Sequence, residues 1–539
     1  MRGLNELKLV LVLDNFEDAL DLETRRIADP DLAGFIEAVA MNLTQGSRAI
    51  VTCRYVPEDT PTDLPNVLHL PLPEFPGHDA LKFLRRDDLV DRRIGRGELT
   101  GDLIGRLYRA VGGTPGLLDQ VRTLLRKADP DALLEELEGG DPGLLARERE
   151  AYCSKILTSR LYDALSPVAQ ALASRLALSF LPIPADAAAT LADLTEAEVA
   201  GPLAEGVAYG LLQRFDEPNL PALYHPPGLL RPWLAAPERL GEDEAKAVHA
   251  HLAAFWRSSI EAKREAAELR VAIGPELQAC REHARQAEDV PTFPWSTVML
   301  ALLLTVRSEW NQARRLLEEI PEQARDASAW HQLATIDLNQ GDYAAAREKF
   351  TTAMEIWKAI GDRTGEAATW NQLATIDFNQ GDHAAAREKF ATSLQIKPAI
   401  GNRTFEAVTW RNLATIDLHQ GEYAAAREKF DSSLQIEQAI GNRAGEANTW
   451  NQLGHVAYAS GRGKDAVRLM AVAFLISHTI GHNYVKTIAQ NFATLCGMLG
   501  IDQAQRDAIL REAALDYQKD RGQGLVERAF GGDDPGKST

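Results

Sequence analysis

Residues 370–381 run Trp370-Asn371-Gln372-Leu373-Ala374-Thr375-Ile376-Asp377-Phe378-Asn379-Gln380-Gly381, and this stretch decides the fold of the C-terminal half. Its apolar residues fall at helical spacing. Gly381 follows where a helix ends on a left-handed backbone. Residues 384–390 open a second helix with Phe390 directed inward, Gly401 closes it, and Asn402 is placed to cap the next. The unit is helix, glycine turn, helix.

The same unit recurs. Trp330, Trp370, Trp410 and Trp450 lie 40 residues apart, as do Gly341, Gly381, Gly421 and Gly461, and again Gly361, Gly401, Gly441 and Gly481. Residues 330–350 and 370–390 are identical at 18 of 21 positions. One helical hairpin cannot bury its apolar face alone, so this period predicts a stacked α-solenoid over 295–520. Weaker units at 295–320 and 483–513 are expected as its caps. The Gly/Asp-rich tail, 521–539, is expected to be disordered.

The repeats resemble tetratricopeptide repeats. The family's Trp, Leu, small residue, Gly, Ala, aromatic and Ala positions fall on Trp330, Leu333, Ala334, Gly341, Ala346, Phe350 and Ala353. One departure is regular: Asp337, Asp377 and Asp417 stand where the family has an inward tyrosine. A buried carboxylate is costly alone, so each is expected to find an arginine or a backbone donor. Differences between repeats concentrate on one stripe of the first helix, which in the family's geometry lines the concave groove. It reads as drift on a solvated face or as a tuned groove. The second reading makes His331, Asn339, Asn371, Phe378, Asn379, Arg411, His419, Asn451 and His455 a partner-binding set for a protein or peptide ligand. The stripe lacks the Lys/Asn cluster with which some members of the family clamp a peptide's terminal carboxylate.

Composition bounds the rest. The chain has 539 residues, 45% hydrophobic and 25% charged, an ordinary globular mix. Its longest apolar run, 298–306, is too short to cross a bilayer, and no signal-peptide core follows Met1, so a cytoplasmic location is expected. A net charge of -19 disfavours nucleic acid as a partner. Cys53, Cys153, Cys280 and Cys496 have neither zinc nor redox spacing and read as free thiols. His331, His383 and His419 sit at different helical positions and do not form a ligand set.

Residues 1–150 mix strands and helices. The apolar run 7–13 reads as a strand buried on both faces, with further strands at 48–52 and 67–70. Residues 151–290 read as a compact helical, winged-helix-like region with one hairpin near 211–224. The predicted fold class is mainly α: a partial P-loop NTPase α/β sheet, this helical region, then the solenoid.

Four motifs stand in order: 9–17, a hydrophobic strand ending in Asp14; 46–54, ending in Arg54; 112–118, Gly-Gly-Thr-Pro-Gly-Leu-Leu; and 224–226, Tyr-His-Pro. In this order they resemble the NB-ARC-like core of the STAND class of signal-transduction ATPases. The resemblance implies Asp14 as a Mg²⁺ ligand, Arg54 at the γ-phosphate, Pro115 beside adenine and His225 at the diphosphate of bound ATP or ADP. It departs at Asn15 and Pro226, where acidic residues are common. A P-loop is expected before the first strand, with its own strand lying between the first two strands. None is present, so the chain is expected to be an N-terminally shortened form with doubtful ATPase activity. Residues 531–538, Gly-Gly-Asp-Asp-Pro-Gly-Lys-Ser, match the P-loop pattern formally, but two aspartates and the chain's end at Thr539 oppose phosphate binding there. By resemblance the chain is a regulatory switch whose repeats bind a ligand and control an ADP/ATP-dependent change, with a homo-oligomer on activation. The alternatives are a tetratricopeptide scaffold with a structural nucleotide-domain remnant and, third, a transcriptional regulator.

Overall fold

The computed structural model describes residues 10–13, 26–27, 30–42, 48–52, 67–68, 76–140, 146–216, 218, 220–265, 273–396, 403–480 and 485–530. The chain divides into two compact units, Met1–Phe293 and Pro294–Thr539.

In the first unit, β1 (Val10–Leu13) and β2 (Arg48–Val51) are joined through helix α1 (Pro30–Asn42). The strands pair directly and in parallel, Val10 opposite Arg48 through Leu13 opposite Val51. A thirteen-residue helix is crossover enough to lay two parallel strands side by side. One correction concerns burial. Leu13 packs with Ile27, Leu32 and Ile36, but Val10 is 61% and Val12 56% exposed. The strand is therefore covered on one face, not two, among the described residues. Val67 and Leu68 carry no strand, and 69–70 lie outside the described residues.

Short helices follow: α2 (Gly77–Leu84), α3 (Asp88–Gly95), α4 (Gly101–Val111), α5 (Pro115–Leu124), α6 (Pro130–Glu138) and α7 (Ala146–Asp163). Asp87 caps α3 by accepting from the Leu89 and Val90 amides, and its second oxygen accepts from Arg126 at 2.7 Å. Next come α8 (Pro167–Leu176), β3 (Ile183–Pro184), α9 (Ala185–Ala192), α10 (Glu196–Ala208), β4 (Gln213–Phe215), β5 (Leu223–His225), α11 (Arg231–Leu234), α12 (Glu242–Glu265) and α13 (Gly274–Gln286). The hairpin β4–β5 forms where the sequence placed it, and β3 pairs with the other side of β5. At two residues, β3 is too short to leave a periodic signal.

The second unit is a stack of helix pairs. Helices α14 (Thr292–Val306) and α15 (Trp310–Glu318) precede four repeats: α16 (Ala327–Gln340) with α17 (Tyr343–Ile360), α18 (Arg363–Asn379) with α19 (His383–Ile396), α20 (Arg403–His419) with α21 (Tyr423–Ala439), and α22 (Arg443–Ala459) with α23 (Gly463–Thr479). Gly381 turns the chain at φ +84°, a backbone that L side chains resist. Phe350, Phe390 and Phe430 are buried between the paired helices, against the small residues Ala334, Ala374 and Ala414. The first helices of successive repeats touch one another, α16 to α18, α18 to α20 and α20 to α22, which puts them on the inner side of the stack.

The three regular aspartates meet their expected partners. Asp337 accepts from Arg314 (2.6 Å) and Lys349 (2.7 Å), and Asp377 from Arg347 (2.7 Å) and Lys389 (2.5 Å). Asp417 pairs with Arg387 at 2.7 Å and with Lys429. Each carboxylate thus joins the preceding second helix to its own. Burial opposes ionisation of Asp377, but Lys389 and Arg347 outweigh it and hold its pKa below the usual carboxylate range.

Helices α24 (Val485–Met498), α25 (Gln503–Asp520) and α26 (Gln523–Phe530) close the array. The last corrects the expected disordered tail: Leu525, Val526, Ala529 and Phe530 are buried. Four apolar residues on one face of a short helix supply the burial that the Gly/Asp content obscured. Residues 531–539 lie outside the described residues.

Candidate peptide-binding groove

The inner stripe of the first helices separates into two kinds of position. At 331, 371 and 451 the side chain reaches the neighbouring helical unit, and at 411 it reaches Glu437 of its own repeat, which in turn meets the next. Thr369 donates its hydroxyl proton to the Gly365 carbonyl and accepts from His331 Nδ1 at 3.2 Å, which assigns the proton to that nitrogen. One repeat on, Asn371 Nδ2 donates to Thr409 at 2.6 Å, and Asn371 Oδ1 accepts from Asn412 at 3.1 Å. At the next joint Arg411 donates to Glu437 Oε1 at 2.8 Å, while Glu437 Oε2 accepts from Thr449 at 2.7 Å. Asn451 Oδ1 accepts from Asn491 at 3.4 Å. The residue types at these four positions therefore follow the partner that each side chain meets.

At the other positions the stripe is open. Asn339, Asn379 and His419 are exposed and Phe378 is half-buried. Asn339 donates to the Thr335 carbonyl of its own helix at 2.7 Å. The Phe378 ring lies 5.3 Å from both His383 and His419, centroid to centroid. His383 and His419 stand 6.3 Å apart, which their spacing in the chain did not reveal. Among the described residues, no three or more His, Cys, Asp or Glu side chains are grouped to hold a metal.

Burial pushes the His331 imidazole down to about 4 and lowers that of His455. Both are neutral at pH 7, and Arg411 is committed to Glu437. The stripe thus offers amides, hydroxyls and neutral imidazoles with little net charge. Such groups suit the backbone of an extended peptide better than a charged terminus.

The nucleotide residues fare differently. Asp14 and Arg54, and with Asp14 the expected Mg²⁺ ligand, lie outside the described residues. Pro115 occupies the first turn of α5, behind Gly112 and Gly113 at φ +66° and +69°. His225 sits at the end of β5, and its Nε2 donates to the Ser179 carbonyl at 3.0 Å. Burial lowers its pKa against the pull of that carbonyl. In this arrangement the Nε2 proton is held by the Ser179 carbonyl.

A second histidine pair went unnoticed in the sequence. His283 Nδ1 lies 2.8 Å from His249 Nδ1, and Phe180 packs 4.6 Å from the His283 ring. The two residues are 34 apart in sequence and meet only because α12 and α13 pack. Burial, then His249, pushes His283 down to about 3. The unfolded chain binds this proton near pH 6.5 and the folded one near 3, so stability is present above 6.5 and lost as pH falls. Thermal melts from pH 7 to 4 are expected to show a falling midpoint, and His283→Phe to flatten that fall.

Residues 325–399 and 405–474 match the tetratricopeptide repeat family model. The chain carries tetratricopeptide repeats. It is structurally similar to a STAND protein with a tetratricopeptide repeat sensor from Pyrococcus horikoshii, with 16% identity and a TM-score of 0.42 over 98% of this chain and 84% of that one. The apo quorum sensor NprR from B. thuringiensis matches 53% of this chain and 80% of its own, at 14% identity and TM-score 0.38. The apo form of RapI matches 53% of this chain and 86% of its own, at 12% identity and TM-score 0.36. No curated protein sequence matches the chain. No helix among the described residues is long and apolar enough to cross a membrane.

Proposed function

We propose that the repeats bind an extended peptide or protein segment on the inner face of α16, α18, α20 and α22. The observation that carries this is the division of the stripe: one set of polar side chains locks the joints, while Phe378, Asn379, Asn339 and His419 stay accessible. A rigid scaffold with an open polar rim around an aromatic is what a peptide groove needs. In the finer form of the reading, binding controls an ADP/ATP-dependent switch using Asp14, Arg54, Pro115 and His225.

Peptides selected from a random display library against the full chain test the first part. Phe378→Ala with His419→Ala is expected to weaken the selected peptides about tenfold or more, since buried aromatic anchors dominate such contacts. Because Phe378 also packs against the cluster of Phe390 and Leu413, the exposed His419→Ala alone is the variant expected to weaken binding with little change in unfolding. Selected peptides indifferent to the double substitution would count against the groove. The second reading, a scaffold whose N-terminal region is structural, is favoured by the commitment of His225 to Ser179. Peptide affinity that does not change with ADP or ATP supports it, and a nucleotide-dependent affinity supports the switch.

A further inference from the structure

Helix α26 occupies a groove on repeats three and four. Leu525 and Val526 are 3% and 8% exposed, and Phe530 is 2% exposed. The Phe530 ring lies under two guanidinium groups, Arg427 at 5.1 Å and Arg462 at 5.6 Å. Arg462 also donates to the Ala529 carbonyl at 2.9 Å, and Arg427 reaches the Phe530 carbonyl at 3.5 Å. The repeats specify this seat. Position 457 is alanine where the three preceding repeats carry Asp337, Asp377 and Asp417. Arg347 and Arg387 are held by the aspartates of the following repeat, whereas Arg427, with alanine opposite, pairs with Asp431 of its own helix at 3.4 Å and lies over Phe530.

The connection to α25 is two residues long and both are left-handed: Arg521 at φ +55° and Gly522 at φ +83°. A non-glycine residue at positive φ is disfavoured, and here reciprocal hydrogen bonds between Arg521 and Gln438 hold it, each 3.1 Å. Gly522 lies against Trp450, where a Cβ would stand 2.6 Å from the indole. If both hinge residues turn helical, α25 and α26 become one helix spanning 503–530. The backbone conflict at Arg521 is then relieved, and α26 leaves its own groove with its apolar face uncovered.

We propose that α26 is an exchangeable arm, seated on its own repeats or, with the hinge straightened, on the same groove of a second copy of this chain. The exchange is reciprocal, so every contact of Leu525, Val526, Ala529 and Phe530 with the groove is remade between copies. The Arg528–Asp516 pair between α26 and α25 is exposed and its loss matters little. The occupant is a second copy because eight residues do not hold a helix alone, and this groove already fits this sequence.

Light scattering on the full chain, over about a hundredfold range of concentration, reads the exchange. Arg521→Gly removes the strain and weakens the open helix, so dimer affinity should fall on the order of tenfold or more. Gly522→Ala crowds the closed hinge and favours the open helix, so dimer should increase. A direct readout mixes full chains carrying Arg462→Cys with full chains carrying Ala529→Cys and joins them with a short bis-maleimide. A cross-linked heterodimer is expected. The doubly substituted chain is the control for folding, because it cross-links within itself when the groove is intact. Cross-linking only within single chains, or a monomer unchanged by either hinge substitution, would overturn the proposal.

Discussion

Trp450→Ala is expected to cost about 3–5 kcal/mol of unfolding free energy, the usual range for deleting a fully buried indole. The four repeat tryptophans share a sequence position but not an environment. Trp330, Trp370 and Trp410 are half-buried, whereas Trp450 is fully buried. It is closed over by the Gly522 turn, belongs to one apolar cluster with Phe430, Met470, Leu525 and Phe530, and has Glu446 Oε1 at 3.5 Å from its Nε1. Removing it opens a cavity beneath α25 and α26 and should loosen both. Trp370→Ala, with its ring partly in solvent beside Lys358, should cost distinctly less. Urea unfolding followed by circular dichroism measures the two, and equal costs would contradict the role given to the C-terminal helices.

Arg411→Ala should be comparably damaging, about 3–5 kcal/mol, because it strands a buried carboxylate. Glu437 is 0% exposed as a side chain and Arg411 is its ion-pair partner at 2.8 Å. Burial already raises the Glu437 pKa above its ordinary 4.5, and Arg411 is the foremost group holding it down. The sign follows. A raised folded pKa means the native state binds the proton first as pH falls, so this group favours folding at low pH and loses that contribution as pH rises. Without Arg411 the upward shift grows. The deficit of the variant relative to the parent should therefore shrink as pH is lowered from 7 towards 4.5. Adding Glu437→Leu should recover most of the loss at pH 7, since no charge is then left unpaired. A deficit that is flat with pH would show that Glu437 is not the group left stranded.

Both predictions turn on residues whose importance the chain's own pattern conceals. The 40-residue period, the glycine turns and the inward phenylalanines are local in sequence, and the solenoid was legible from them. So was the need of Asp337, Asp377 and Asp417 for basic partners. The candidate groove was legible only as a stripe. Variation at 331, 371, 411 and 451 reads alike as drift or as ligand specificity. The structure adds that those side chains bond partners 38, 38, 26 and 40 residues away within the chain.

In the first unit the direct pairing of β1 with β2 and the exposure of Val10 and Val12 could not be read from an apolar run. An apolar run records what a strand prefers, and which neighbours cover it is a matter of packing. Composition similarly misread 521–530, because Gly and Asp counts ignore the face that Leu525, Val526, Ala529 and Phe530 share.

By itself, then, the sequence determined that the chain stacks helical hairpins, where each hairpin turns, and which residues lie between the paired helices. Helical periodicity and turn chemistry act over a few residues, so one chain suffices to read them. Only the tertiary structure decided which stripe residues reach across the joints, that Arg427 lies over Phe530 rather than meeting an aspartate of the following repeat, and that His225 is turned to Ser179. Each of those depends on a partner brought close by packing, and hydrogen bonds and ion pairs are made or lost over an ångström or two.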